Sequence, residues 1–216
     1  IMDFNSWGAP ELVADGRYTW TSLVYDLDYR PLITFYDEDA GDLRVVGRNP
    51  ANTDWNPPLY VDSEGDVGSH SDARLIGGNI GVSYYDATNG DLKYATNASG
   101  DWVVETLDSD GDVGWDTSIA LDSVGSAHIS YYHATNGDLK FATKIGATWA
   151  IDVVDTTGDV GEWASLELDP YGNPHISYFE ASNSDLRYAT TAIVTGEPVP
   201  ATVWPVGAAR RITWDG

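Results

Sequence analysis

The stretch Tyr131-Tyr132-His133-Ala134-Thr135-Asn136-Gly137-Asp138-Leu139-Lys140-Phe141-Ala142-Thr143 decides the fold, because the chain carries it in several copies. It stands earlier as Tyr84-Tyr85-Asp86-Ala87-Thr88-Asn89-Gly90-Asp91-Leu92-Lys93-Tyr94-Ala95-Thr96. It returns, more loosely, as Tyr178-Phe179-Glu180-Ala181-Ser182-Asn183-Ser184-Asp185-Leu186-Arg187-Tyr188-Ala189-Thr190. The first copy is Phe35-Tyr36-Asp37-Glu38-Asp39-Ala40-Gly41-Asp42-Leu43-Arg44. The shared aspartates, Asp42, Asp91, Asp138 and Asp185, stand 49, 47 and 47 residues apart. A second marker, Gly-Asp-Val-Gly, recurs at 65–68, 111–114 and 158–161. Self-similarity at a fixed period marks a repeat architecture.

Outward from the quoted copy, four strand-like runs fill one period. The first is Thr117 to Leu121, followed by the turn Asp122-Ser123-Val124-Gly125. Ala127 to Tyr132 alternates His128, Ser130 and Tyr132 on one face with Ile129 and Tyr131 on the other, as a pleated strand requires. Asn136-Gly137 is a strong hairpin signal leading into Leu139 to Thr143, and Trp149 to Val154 forms the last run. Four antiparallel strands in each period of roughly 40–50 residues is the pattern of a propeller blade. The expectation is an all-β, four-bladed β-propeller spanning 1–190, with 191–216 as a linker or tail.

Strand counting also predicts how the ring closes. Trp55, Trp102 and Trp149 head the fourth strands, 47 residues apart, and Trp7 stands 48 residues before Trp55. The Trp7–Asp15 segment therefore reads as a fourth strand placed ahead of its own blade, and the set ending at Thr190 lacks one. The expectation is that the N-terminal strand closes the last blade, which pairs both free edges. The same strand completing a neighbouring molecule's blade is the alternative. Trp204 is a poor rival: it lies 15 residues after Ala189, among Pro198, Pro200 and Pro205.

By blade count alone the architecture resembles four-bladed propellers such as the hemopexin type. The repeat itself, with Gly-Asp-Val-Gly, the His128-Ile129-Ser130-Tyr131-Tyr132 strand and a following Trp, resembles the propeller repeats of large secreted or surface proteins of bacteria and archaea. The ending Val203 to Gly216 is similar to part of an Ig-like sorting domain of the hook-capping type. These resemblances imply an extracellular or cell-surface location.

Composition narrows the function classes. The 216 residues hold 34 acidic and 11 basic side chains, a net charge of −23. Such a surface repels phosphate, which excludes a nucleic-acid partner. No apolar run approaches 18 residues, so no membrane insertion is expected. The absence of cysteine excludes disulfide frameworks and cysteine nucleophiles. Of the acids 26 are Asp and 8 are Glu, a bias toward turns, where Asp bonds nearby backbone.

Chemistry is expected where the repeat is broken. Trp20, His70, Asp116 and Trp163 occupy equivalent positions entering the innermost strand. This ring of unlike groups at the mouth of the axis is the candidate ligand-binding site. Trp beside carboxylate suits a sugar, whose C–H face stacks while its hydroxyls donate. Asp66, Asp112 and Asp159 of the Gly-Asp-Val-Gly loops are the candidate metal ligands, with Ca²⁺ as the cation; turn capping is their bland alternative. The equivalent Ser22, Ser118, Ser165 and Asp72 are expected to bridge neighbouring blades. The sialidase-type aspartate box is absent, and no Ser/His/Asp arrangement stands out. The main expectation is a non-catalytic extracellular binding or assembly module, not an enzyme, with another protein or a second copy as partner. The alternatives are a carbohydrate-binding lectin with a glycan partner, or a glycan-processing enzyme using a carboxylate pair.

Overall fold

The computed structural model describes residues 8–76 and 78–191. They form fifteen strands and, among the described residues, no helix. The first sheet runs in the order β1 (Tyr18–Tyr25), β2 (Pro31–Asp37), β3 (Asp42–Gly47) and β4 (Leu59–Asp62). The second holds β5 (Val67–Ile76), β6 (Asn79–Asp86), β7 (Asp91–Thr96) and β8 (Val103–Asp108). The third holds β9 (Val113–Leu121), β10 (Ala127–His133), β11 (Asp138–Ile145) and β12 (Thr148–Asp155). The fourth holds β13 (Val160–Leu168), β14 (Pro174–Glu180) and β15 (Asp185–Thr190). Every pairing is antiparallel between chain neighbours, so each sheet is a simple meander.

The repeated turn explains the meander. In Asp86-Ala87-Thr88-Asn89-Gly90, the Asp86 carboxylate accepts the Thr88 and Asn89 N–H groups at 3.0 and 3.1 Å. Gly90 closes the turn to the Asp86 carbonyl at 2.8 Å with φ +77°, a conformation glycine adopts without a Cβ penalty. In the third sheet His133 does the same work, its Nδ1 accepting the Asn136 N–H at 3.0 Å.

The sheets stack in chain order, with β1, β5, β9 and β13 side by side. The apolar core lies in the seams. Leu43, Leu92 and Leu139 are fully buried beneath the last glycine of the following Gly-Asp-Val-Gly. A Cβ on Gly68, Gly114 or Gly161 would come within 2.7, 2.8 or 2.9 Å of the leucine Cβ or Cα. The paired aromatics of each second strand divide between two seams. Tyr84, Tyr131 and Tyr178 reach back to Asp62, Asp108 and Asp155 at 2.7–2.8 Å. Lys93, Lys140 and Arg187 meet the same acids at 2.6, 2.5 and 3.0 Å. Tyr36, Tyr85 and Tyr132 reach forward to Asp66, Asp112 and Asp159 at 2.5, 2.7 and 2.6 Å. The expected bridge also forms: Ser22, Asp72 and Ser118 each accept, at 3.1 Å, the N–H of Ala73, Ile119 and Leu166 in the next sheet.

The two ends of the array differ from the seams between. Leu186, the fourth member of the leucine set, is 56% exposed, and so is Leu23, whose equivalents Ala73, Ile119 and Leu166 are fully buried. Tyr18 stands where later sheets carry Gly68, Gly114 and Gly161, so the first sheet cannot seat on a leucine as they do.

The expected closure is corrected accordingly. The fourth sheet has three strands, and residues 8–17 belong to none. Instead Glu11 packs beside the first sheet, paired with Arg48 and accepting the Trp55 indole N–H at 3.3 Å. Glu105 of β8 makes the same two contacts to the third sheet, with Lys144 and with Trp149 at 2.8 Å. The N-terminal segment thus holds the place of a fourth strand preceding the first sheet, without pairing to β15. Trp7 and the tail resembling a hook-capping domain, residues 192–216, lie outside the described residues.

Candidate functional site

Each first strand carries an irregularity in its register with the second, between Thr19 and Ser22, Ser69 and Asp72, Trp115 and Ser118, and Glu162 and Ser165. At each one a single residue takes a left-handed backbone: Trp20 (φ +51°), His70 (+54°), Asp116 (+48°) and Trp163 (+49°). Such a conformation costs a bulky residue about 1–3 kcal/mol, and bulges re-aim side chains. A repeated strain held by two tryptophans, a histidine and an aspartate is a feature that packing alone would have relieved with glycine. Hydroxyls of neighbouring sheets steady two of the strained carbonyls: Ser71 Oγ donates to Trp20 and Thr117 Oγ1 to His70, both at 2.8 Å.

The four sequence-predicted residues do come together, in chain order. The Trp20 and His70 rings stack with centroids 4.0 Å apart. Asp116 Oδ1 lies 2.8 Å from His70 Nδ1, and the Asp116 backbone N–H is directed at the same nitrogen at 3.2 Å. The other oxygen, Oδ2, accepts the Trp163 backbone N–H at 2.9 Å. Trp115 lies 4.9 Å from His70, and Tyr85 lies 5.5 Å from Trp115. Trp163 remains 68% exposed and Trp20 42%, so two indole faces look outward from a buried polar hinge.

Two carboxyl groups here are pushed in opposite directions. Burial raises the Asp116 carboxyl, but the His70 hydrogen bond, the Trp163 N–H and the His70 charge hold it below the usual value. Glu162 is raised, first by burial and then by the charges of Asp159 and Asp116. Asp116 therefore gives up its proton more readily than an ordinary carboxyl and Glu162 less readily. Glu162 was missed in reading the sequence, although its signal was there: its repeat equivalents are Thr19, Ser69 and Trp115, as unlike as the neighbouring ring.

Asp66, Asp112 and Asp159 are placed separately, one in each seam. Each receives a tyrosine hydroxyl, and Asp112 also the Trp115 indole N–H at 2.8 Å. Their own N–H groups go to Thr88, Thr135 and Ser182 hydroxyls at 2.7–2.9 Å. Among the described residues no group of three or more His, Asp or Glu is placed to hold a metal ion. A cavity of about 400 Å³, lined by Tyr94, Leu121 and Lys144, is at the other end of the strands and lacks paired carboxyl groups.

No family model matches the chain, and no curated protein matches it in sequence. Solved structures do match in fold. A protein of unknown function from Dyadobacter fermentans superposes with a TM-score of 0.65 at 13% identity, covering 96% of this chain and 68% of its own. An α-L-arabinofuranosidase from Fusarium graminearum, solved with an iminosugar inhibitor, gives 0.57 at 10% identity, over 90% and 66%. An ulvan lyase, a polysaccharide lyase, gives 0.53 at 14% identity over 80% of this chain and 52% of its own; the chain spans about half of that enzyme. These likenesses show the fold: an all-β, propeller-like array of antiparallel sheets. They correct the expectation of a non-catalytic module that is not an enzyme, because the scaffold is shared with a glycoside hydrolase and a polysaccharide lyase. Repeat regularity misled that reading: a residue copied into every sheet reads as structural, and the carboxyl groups that differ are few among 34 acids. Among the described residues no helix is long and apolar enough to cross a membrane.

Proposed function

We propose that this chain is a glycan-processing enzyme acting outside the cell, with its site at the mouth formed by Trp20, His70, Asp116, Glu162 and Trp163. The four sheets are read as consecutive blades about one axis, with first strands innermost. The observation that carries the reading is the set of four repeat-equivalent, left-handed residues, Trp20, His70, Asp116 and Trp163, two tryptophans flanking a histidine and an aspartate, which contact one another in sequence. Exposed indoles supply stacking surface for a pyranose or furanose ring. In this reading Glu162 gives its proton to the glycosidic oxygen as the C–O bond breaks. Ionised Asp116 stabilises the positive charge that builds at the anomeric carbon, and water then forms the new C–O bond there, its proton returning to the Glu162 carboxylate. His70 and the Trp163 N–H keep Asp116 ionised and fixed.

The test is release of reducing ends from a polysaccharide panel, comparing the wild-type chain with Glu162→Gln and Asp116→Asn. Loss of kcat by about 100-fold or more in each is expected, with far-ultraviolet circular dichroism unchanged. Full activity in both variants overturns the assignment. Products bearing a new carbon–carbon double bond would replace hydrolysis by elimination at the same mouth.

A further inference from the structure

We infer that the glycan accepted at this mouth is uncharged, not a uronate, sulfated or sialylated polymer. The inference rests on the glycan-processing reading above and names its substrate class. Recognition of an acidic sugar requires a cation, and arginine is the usual choice because its fork matches carboxylate and sulfate. Every lysine and arginine among the described residues is already engaged. Lys93, Lys140 and Arg187 are drawn into the seams by Asp62, Asp108 and Asp155. Arg44 is held by Asp37 and Lys144 by Glu105. Arg30 is tied to Asp26 and Asp28, and Arg74 to Asp72. Arg48 pairs with Glu11 and Arg17 with Glu38. Among the described residues the positive charge is thus held in ion pairs, three of them by the repeat that builds the seams.

The titratable groups of the mouth are Asp116, paired with His70 at 2.8 Å, and Glu162, which lies within the fields of Asp116 and Asp159. The whole chain adds −23, so an anionic polymer meets repulsion both at a distance and at contact. A neutral sugar meets neither. Its hydroxyls donate to carboxylate oxygens, and its C–H face covers the Trp163 indole, whose backbone N–H is anchored on Asp116.

The experiment offers the full chain neutral polymers (arabinan, galactan, xylan) and anionic ones (ulvan, polygalacturonate) at low and at high salt. Both cleavage and binding by affinity electrophoresis are measured. Cleavage of at least one neutral polymer is expected, with rates on anionic polymers at least about tenfold lower and the gap narrowing as salt screens the charge. Trp163→Ala should raise KM for the neutral polymer more than it lowers kcat. Preferential cleavage of an anionic polymer overturns the inference while leaving the glycan-processing reading intact. Absence of cleavage and binding across all polymers overturns that reading, and the inference with it.

Discussion

Ser130 and Ala164 show how one atom records the difference between sheets. Ser83 Oγ meets Thr117 Oγ1 at 2.8 Å across the seam between second and third sheets. The same place in the next seam pairs Ser130 with Ala164, and Ser130 Oγ is buried without a partner. A buried hydroxyl left unpaired costs about 1–3 kcal/mol. Ala164→Thr restores the missing oxygen and should stabilise the fold by about 1 kcal/mol, or roughly 2–4 °C in Tm. Differential scanning calorimetry of the variant checks this, and an unchanged or lowered Tm rejects it. The position was legible in the sequence only as a deviation from Ser71 and Thr117; that it orphans Ser130 follows from the seam geometry. The candidate site divides in the same way. Trp20, His70, Asp116 and Trp163 were found because they break the repeat, but their stacking and hydrogen bonding were not, since both depend on four left-handed backbones.

At the scale of the element, the Gly-Asp-Val-Gly turn is the coupling between sheets. Its Asp takes the phenol of the sheet before, and its last glycine admits the leucine backbone of that sheet. Gly114→Ala must place a methyl 2.8 Å from the Leu92 Cα at a φ of +101°. A loss of about 3 kcal/mol or more is expected, because strain and overpacking add. A denaturant midpoint for Gly114→Ala equal to the wild type would show that the seam can open to accept it. The same element explains the ends. Phe35 lacks the hydroxyl that Tyr84, Tyr131 and Tyr178 send back, and Phe179 lacks the one that Tyr36, Tyr85 and Tyr132 send forward. Phe179 stands where no further Gly-Asp-Val-Gly follows to supply an acceptor, as terminal repeats commonly differ from interior ones. That pattern was on the page of sequence, yet its meaning required knowing which tyrosine faces which seam.

For the whole molecule, the seam acids make stability sensitive to low pH. Burial raises Asp62 and Asp108, but Lys93 with Tyr84 and Lys140 with Tyr131 bring both below the ordinary value of 3.8. A carboxyl whose folded value is depressed stabilises the fold above its unfolded value and loses that contribution as pH falls through the folded one. Asp26, Glu105, Asp116, Asp122 and Asp169 are shifted in the same direction. Asp42, Asp91 and Glu162 are shifted upward and act oppositely. Seven lowered groups outweigh three raised ones, so Tm should hold from neutral pH to about 5 and fall steadily below about 4. Melting curves across that range test the sign; a Tm that rises on acidification contradicts it.

The sequence by itself determined the repeat, its four-strand meander, the turn chemistry and the positions where sheets differ. Those properties are local: period-two alternation, an Asn-Gly turn and an aspartate bonding its own loop act within a few residues. Only the tertiary structure decided that Tyr18 denies the first sheet the glycine seat, that Glu11 lies beside the first sheet, and that Asp116 and Glu162 part in acidity. These depend on groups tens of residues apart being brought within hydrogen-bond and Coulomb range, where burial and neighbouring charge set the outcome. The charge imbalance shows both sides: composition gives its sign, whereas the structure shows that all nine described cations are paired with acids.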